Sequence, residues 1–267
     1  RSIFQRAAEQ GKRVQALGGA KNHMIVLPDA DLDVAADAAV SAGYGSAGER
    51  CMAISVVVAV GEIADALREK IIARIADLRI GDGRNDDVDM GPLVTAAHRD
   101  RVMGYIETAA EDGAEVVVDG RDHPLVGDSG GFYLGATLLD HVPLASRAYR
   151  EEIFGPVLSM VRSSSLGEAI ALVNANPYAN GVAIFTEDGA AARRFQHKID
   201  AGMIGLNVAI PVPVSFYSFG GNKESLFGDL HVYGPDGVRF YTRGKVVTAR
   251  WAAPERAGVD FGFPQSR

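Results

Sequence analysis

The run Ala53-Ile54-Ser55-Val56-Val57-Val58-Ala59-Val60 constrains the fold more than any other stretch. Eight residues rich in β-branched side chains, with a single hydroxyl among them, read as a buried strand. Directly after it, Ile63, Leu67, Ile71, Ile72 and Ile75 recur at helical spacing with arginine and lysine between them, which predicts an amphipathic helix over 63–75. Before it, Met24–Leu27 is a strand candidate closed by Pro28, and a helix is predicted over Leu32–Tyr44 with Asp31 as N-cap and Asp33 in the first turn. Strand, helix, strand in succession argues for an α/β layer arrangement. The rhythm continues downstream. Thr95 can cap a helix running to about Glu111, and short strand pieces are expected at 116–118, 132–134 and 137–139. A strand follows Val157, Ser165 and Glu168 form a capping-box pattern, and 181–186 and 203–207 read as strands around a helix over 190–199. Val14–Leu17 is a further short strand candidate, and 2–10 a short helix stopped at Gly11.

At 267 residues, 47% of them apolar and 23% charged, the chain can bury a sizeable core. A formal charge of −7 aids solubility and argues against nucleic acid or a membrane surface as the principal partner. No apolar run approaches the roughly 18 residues of a membrane span. One cysteine fits a reducing compartment, so a cytoplasmic location is expected. The start, Arg1-Ser2-Ile3-Phe4, has neither methionine nor the apolar stretch of a signal peptide and reads as the interior of a longer polypeptide. Asp82, Asp86, Asp87 and Asp89 lack the alternation and closing glutamate of a calcium loop and read as a solvated acidic loop. The six histidines are not at zinc-ligand spacing, so no metal site is expected.

Chemistry concentrates in Gly45-Ser46-Ala47-Gly48-Glu49-Arg50-Cys51-Met52. Cys51 stands at a loop-to-strand boundary after two glycines, where backbone N–H groups can surround it and the neighbouring Arg50 guanidinium favours a thiolate. That setting suits attack on a carbonyl carbon; a small buried hydrophobe is the alternative. Gly18-Gly19 allows close approach to a ligand or makes a turn. Arg150 to Leu158 places Glu151, Glu152 and Phe154 before a Gly-Pro turn, either to meet a ribose and a planar ring or as a helix end with a core phenylalanine. Asn207, ending a strand, can line a site. The aromatic segment 211–221 either covers a pocket or packs on a neighbouring subunit, and 240–248 makes a possible late strand for pairing across an interface.

Taken together, Val14-Gln15-Ala16-Leu17-Gly18-Gly19-Ala20-Lys21-Asn22-His23, Gly48 to Ala53, Glu151 to Val157, and Phe219 to Gly228 with Lys245-Val246 resemble the carboxy-terminal half of the NAD-dependent aldehyde dehydrogenase superfamily. The resemblance runs from about Gly11 to about Trp251 and is nearest to the CoA-acylating methylmalonate-semialdehyde dehydrogenase branch. It implies an α/β catalytic domain, a mostly parallel sheet flanked by helices, without most of the Rossmann-like NAD-binding domain. The implied division is 1–17 as a remnant of that domain, 18–238 as the catalytic domain, 239–251 as an oligomerisation strand and 252–267 as a tail. Cys51 is then the nucleophile, Arg50 the ligand of the substrate carboxylate, Glu152 the ligand of the nicotinamide ribose and Phe154 the ring beside the cofactor. Leu17, or Ala16 one residue earlier, stands where hydrolytic relatives carry a glutamate that activates water, and neither can take a proton. The implied reaction oxidises methylmalonate or malonate semialdehyde with NAD and passes the acyl group to coenzyme A, with loss of CO2. The oxyanion asparagine of the family has no match here, so the chain alone is expected not to turn over. A homodimer or homotetramer, a small-molecule substrate and no nucleic-acid or membrane partner complete the implications. A non-acylating aldehyde dehydrogenase and a non-enzymatic domain of the same fold are the alternatives.

Overall fold

The computed structural model describes residues 1–127, 130–249, 251 and 261–262. The predicted tail, 252–267, lies almost wholly outside the described residues. In chain order the elements are α1 (Ser2–Glu9), β1 (Ala16–Leu17), β2 (Asn22–Val26), α2 (Leu32–Tyr44), β3 (Ile54–Val60), α3 (Ala64–Ala76) and α4 (Ala96–Glu111). There follow β4 (Glu115–Val118), β5 (Thr137–Asp140), α5 (Arg147–Arg150), β6 (Val157–Ser163), α6 (Leu166–Ala175), β7 (Tyr178–Ala179) and β8 (Gly181–Phe185). The last are α7 (Gly189–Lys198), β9 (Met203–Leu206), β10 (Asn222–Lys223), β11 (Leu226–Phe227) and α8 (Gly234–Tyr241).

Seven strands form one sheet in the order β4-β5-β6-β3-β2-β8-β9. Every neighbouring pair is parallel except β4 with β5. The valine-rich run is thus a central strand, and both its faces are covered. Val56, Val58 and Val60 join Ile25 in a core with Val102 and Ile106 of α4, Ile170 of α6 and Phe195 of α7. Val57 and Ala59 join Met24 in a second core with Ala35, Ala36 and Ala39 of α2 and Leu67 and Ile71 of α3. Burial on both faces removes any need for polar alternation, which is why the strand reads as a continuous apolar run.

The helix ends follow their caps. Asp31 accepts from the N–H groups of Asp33 and Val34, and Thr95 from that of His98. Two expectations change. The 132–134 piece forms no ladder; Tyr133 and Leu134 are buried as a connector leading into β5. Phe240 and Tyr241 end α8 rather than opening a strand, because Arg13 caps that helix: its Nη1 donates to the carbonyls of Arg239, Phe240 and Thr242 at 2.8, 2.6 and 2.5 Å. Residues 242–249 then run without regular structure, with Val246 and Val247 exposed. Among the described residues, this stretch pairs with no other strand.

Candidate active site

The groups that meet at this site come from four separate segments, each shortly before a parallel strand. Gly18–Lys21 precede β2, Cys51 precedes β3, Glu152–Phe154 precede β6 and Asn180 precedes β8. Since these strands are mutually parallel, all four segments meet at the amino ends of the sheet.

Three left-handed residues in succession shape the cysteine loop: Ser46, Ala47 and Gly48, at φ 53°, 54° and 70°. For serine and alanine this is a sparsely populated conformation that the surroundings must enforce. Gly48 cannot be replaced without conflict, because a methyl group there would lie 2.2 Å from the Gly155 carbonyl oxygen. Two buried amides fix the far end of the loop. Asn22 Nδ2 donates to the carbonyls of Cys51 and Ala53 at 3.0 and 2.9 Å while its Oδ1 accepts from Gly181 N–H, and Asn180 Nδ2 donates to the same Cys51 carbonyl at 3.0 Å. Cys51 itself is exposed.

Opposite the cysteine, Glu152 Oε1 accepts from Ala20 N–H at 2.9 Å. Burial raises the carboxyl above the usual range, opposed by that N–H and by the charges of Lys21 and Arg101. The paired glycines serve two purposes: a methyl group on Gly18 would lie 2.0 Å from the Glu224 carbonyl oxygen, and one on Gly19 would lie 3.0 Å from Glu152 Oε2. Phe154 is left-handed at φ 58°, and its carbonyl lies 2.6 Å from His98 Nε2. A carbonyl can only accept, so Nε2 carries the proton. The same nitrogen is 3.4 Å from Glu49 Oε1, a buried oxygen without a hydrogen bond. Burial raises the Glu49 carboxyl, opposed by His98 and by an N–H from Val94.

Cys51, Glu152, Phe154 and Leu17 line one open cleft of ≈ 340 Å³ together with Phe219 and Asn180. A half-buried carboxylate, two aromatic rings and a glycine-floored wall are the donor set and shape that a ribose bearing a planar heterocycle requires, so the residues present fit the nicotinamide end of NAD. No proton acceptor occupies Leu17's place; its side chain is half exposed at the cleft edge. The Arg50 guanidinium turns back along its own loop, Nε donating to Ser46 Oγ at 2.9 Å and Nη1 lying 2.6 Å from where a methyl group on Gly45 would stand. It faces a second cleft of ≈ 400 Å³ with Asp37, Ser41 and Arg74. Arg50 and Cys51 also share the small cavity between the cysteine loop and the Glu152–Val157 segment.

Asn207 does not join this group. It sits at the carboxyl end of the sheet, where Oδ1 accepts from Thr186 N–H and Nδ2 donates to the Thr186 carbonyl. Also at a carboxyl end, Glu115, Asp140 and His141 draw their ligand atoms within 4.8 Å of one another. Asp140 there is already met by Arg68 at 3.2 Å and Arg162 at 2.7 Å, which occupies its charge without a cation. The acidic loop is likewise paired internally, Asp82 to Arg84 and Asp89 to Arg79. Sequence reasoning passed over Lys21, Asn22, Asn180 and the Glu49–His98 contact. Lys21-Asn22-His23 had a readable signal, three polar side chains opening a strand that is otherwise apolar; Asn180, in a turn rich in asparagine, had none.

The aldehyde dehydrogenase family matches residues 1–247. The chain belongs to that family. It is 56% identical over 266 residues to malonate-semialdehyde dehydrogenase of Pseudomonas aeruginosa, covering 98% of this chain and 53% of that protein. Against malonate-semialdehyde dehydrogenase 2 of Geobacillus kaustophilus it is 51% identical over 249 residues, 93% of this chain and 51% of the relative. The fold superposes on crystalline methylmalonate-semialdehyde dehydrogenase of Oceanimonas doudoroffii with a TM-score of 0.92 and 51% identity, covering 95% of this chain and 52% of that one. Betaine aldehyde dehydrogenase of Staphylococcus aureus in complex with NAD+ superposes with a TM-score of 0.85 at 29% identity, over 90% of this chain and 47% of that one. The chain spans about half the length of the relatives it matches.

Proposed function

We propose that the chain carries the catalytic groups for NAD-dependent, CoA-acylating oxidation of malonate or methylmalonate semialdehyde. One observation supports the reading: Cys51, Glu152 and Phe154 line a single cleft with Leu17, a residue that can take no proton. The Cys51 thiolate attacks the aldehyde carbon, forming the S–C bond as the carbonyl electron pair moves to oxygen. The cysteine's own N–H faces the resulting oxyanion. When bound, NAD supplies the acceptor for the hydride that leaves this carbon. With the carbonyl reformed, the acyl group remains as a thioester on Sγ. Leu17 offers no base to prepare a water molecule, so the thioester persists until the coenzyme A thiol attacks it and Cys51 leaves as thiolate. Arg50, one residue from the nucleophile, pairs with the substrate carboxylate through its two Nη groups. The carboxylate on the α carbon departs as CO2, the C–C bond pair passing into the thioester enolate until that carbon takes a proton from solvent, giving acetyl-CoA or propionyl-CoA. Glu152 accepts from the nicotinamide ribose hydroxyls, and Phe154 packs beside the ring. Assembly of two or four copies through 239–251 belongs to the same reading, supported by exposed Val246, Val247 and Trp251.

Mixing a full-length enzyme that carries these residues with malonate semialdehyde, NAD and coenzyme A tests it; the chain by itself is expected not to turn over. NADH and acetyl-CoA are expected only when all three are present, and Cys51→Ala abolishes both. Free acid formed at the same rate without coenzyme A means a non-acylating enzyme. NADH from no aldehyde returns the chain to the non-enzymatic reading.

A further inference from the structure

Lys21 is 2% exposed, yet it lies one residue from the backbone N–H that holds Glu152. Its Nζ donates to the Ala148 carbonyl at 2.6 Å and to the Glu151 carbonyl at 2.9 Å, bracketing the turn from α5 into the Glu152–Phe154 segment. Buried ammonium groups are costly and persist only with compensation. Behind Lys21 the packing is closed: His23 Nδ1 lies 2.7 Å from the Lys21 carbonyl, and His23 Nε2 lies 3.2 Å from the Tyr149 hydroxyl. The Lys21 carbonyl accepts, so Nδ1 bears the proton and Tyr149 donates to Nε2. A neutral imidazole is what the burial there demands, its pKa lowered to about 3. The lysine charge therefore has its counter-charge on the cleft side.

We propose that Lys21 is a positioning residue for the cofactor: it holds the backbone that carries Glu152 and supplies the positive charge against which that carboxylate stands. The inference rests on Glu152 being a ribose ligand, as proposed above. Two attachments act together, the Ala20 N–H on the carboxylate and the Lys21 amine on the carbonyls before it, so the Leu17–Lys21 turn serves as a template for Glu152. The charged and titratable groups facing the pair are Glu151, Arg101 and Tyr178, with His23 and Tyr149 behind. Glu151 is itself taken up by Arg147 and the Tyr105 hydroxyl, which hold it at about 2. Lys21 and Arg101 thus remain as the charges that favour ionised Glu152. Burial lowers Lys21 to about 7, opposed by Glu152 and Glu151. A ribose hydroxyl donates to the ionised form of Glu152, so dinucleotide affinity falls as pH drops through the Glu152 pKa, and Lys21 keeps that midpoint below where burial alone would put it.

Dinucleotide titration across pH of a full-length enzyme carrying these residues, with the thermal midpoint of each variant recorded alongside, is the test. Lys21→Met is expected to weaken NAD binding about tenfold and to move the acid midpoint of binding upward by about one pH unit. Lys21→Gln keeps a donor for the carbonyls without the charge; it is expected to show the same midpoint shift with less loss of affinity. A merely structural lysine lowers the thermal midpoint and scales affinity but leaves the acid midpoint in place, which overturns the inference, as does unchanged binding in both variants. Failure of the unsubstituted full-length enzyme to bind NAD at any pH overturns the reading of Glu152 and this inference with it.

Discussion

The two ends of the sheet differ in how completely their polar groups are closed. At the carboxyl ends of β2 and β8, Asp29 Oδ2 accepts from the Thr186 hydroxyl and from the N–H groups of Glu187 and Asp188, while Asn207 and Thr186 satisfy one another. The cleft there, ≈ 170 Å³ beside the start of α2, is lined by Thr186 and Asn207, whose polar groups are already paired with Asp29 and with each other. At the amino ends the thiol of Cys51 is exposed, Glu49 Oε1 is buried without a hydrogen bond, and four non-glycine and glycine residues hold left-handed conformations around the cleft. In open α/β sheets ligands usually bind outside the carboxyl ends of the strands. Here the reactive groups lie at the opposite end. The difference that locates the site is an exposed nucleophile beside a half-buried carboxylate; left-handed backbone alone does not mark it, since Asn207 and His141 are left-handed at the carboxyl ends at φ 55° and 51°.

The strongest way to break that comparison is through Arg50. If its Nη groups are open because they await an anion, Arg50→Leu in a full-length enzyme carrying these residues weakens turnover of malonate semialdehyde by about 2.5 kcal/mol in kcat/KM, roughly seventyfold, and leaves propanal within about twofold. Equal losses on both aldehydes would make Arg50 a brace for Ser46 and nothing more, and the amino end would lose its claim to carboxylate selection.

Backbone enforcement can be tested at Gly48 against Gly189. Gly48 is left-handed and abuts the Gly155 carbonyl, joining the nucleophile loop to the segment that carries Phe154; Gly189 opens α7 beyond the carboxyl end of β8 with nothing within 4 Å of an added methyl group. Gly48→Ala is expected to destabilise the chain by about 2 kcal/mol and to slow alkylation of Cys51 by misplacing the loop. Gly189→Ala is expected to stay within about 0.5 kcal/mol. Urea midpoints and iodoacetamide rates read both, and equal effects at the two glycines would erase the contrast.

What the amino-acid sequence disclosed follows the same division. The valine run, the Asp31 and Thr95 caps and the periodicity of α2, α3 and α4 are local signals, and the sheet they specify is the one observed. Cys51, Arg50, Glu152 and Phe154 could be named because each sits in an unusual local setting of glycine, charge and aromatic side chains. The meeting of Cys51, Glu152 and Phe154 in one cleft could not be read from spacing, since it depends on β6 lying beside β3 and on β8 crossing back to β2. Asn207 was assigned to a site because it ends a strand; it does, but at the end where its amide is consumed by Thr186. Asn22 and Asn180 escaped notice for the complementary reason, their partners being carbonyls 29 and 129 residues away.

The smallest effect is expected where everything is already paired. Asp29 is exposed, and Asp29→Ala leaves the Thr186 hydroxyl and two N–H groups to water, so a loss of about 1 kcal/mol is expected with NADH formation unchanged. Burial works to raise the Asp29 carboxyl, but the hydrogen bonds from Thr186, Glu187 and Asp188 outweigh it and hold the group below the usual carboxylate range. A folded-state pKa below the unfolded one stabilises the fold above the unfolded value, about 3.9, and that contribution is lost as pH falls through the folded value. The gap in urea midpoint between the unsubstituted chain and Asp29→Ala should therefore be full at about pH 7 and shrink below about pH 4. A gap that does not narrow with acid would mean that the carboxylate charge contributes nothing at this end. A fall in NADH formation at neutral pH would mean that the two ends of the sheet are coupled rather than divided into a closed end and an open one.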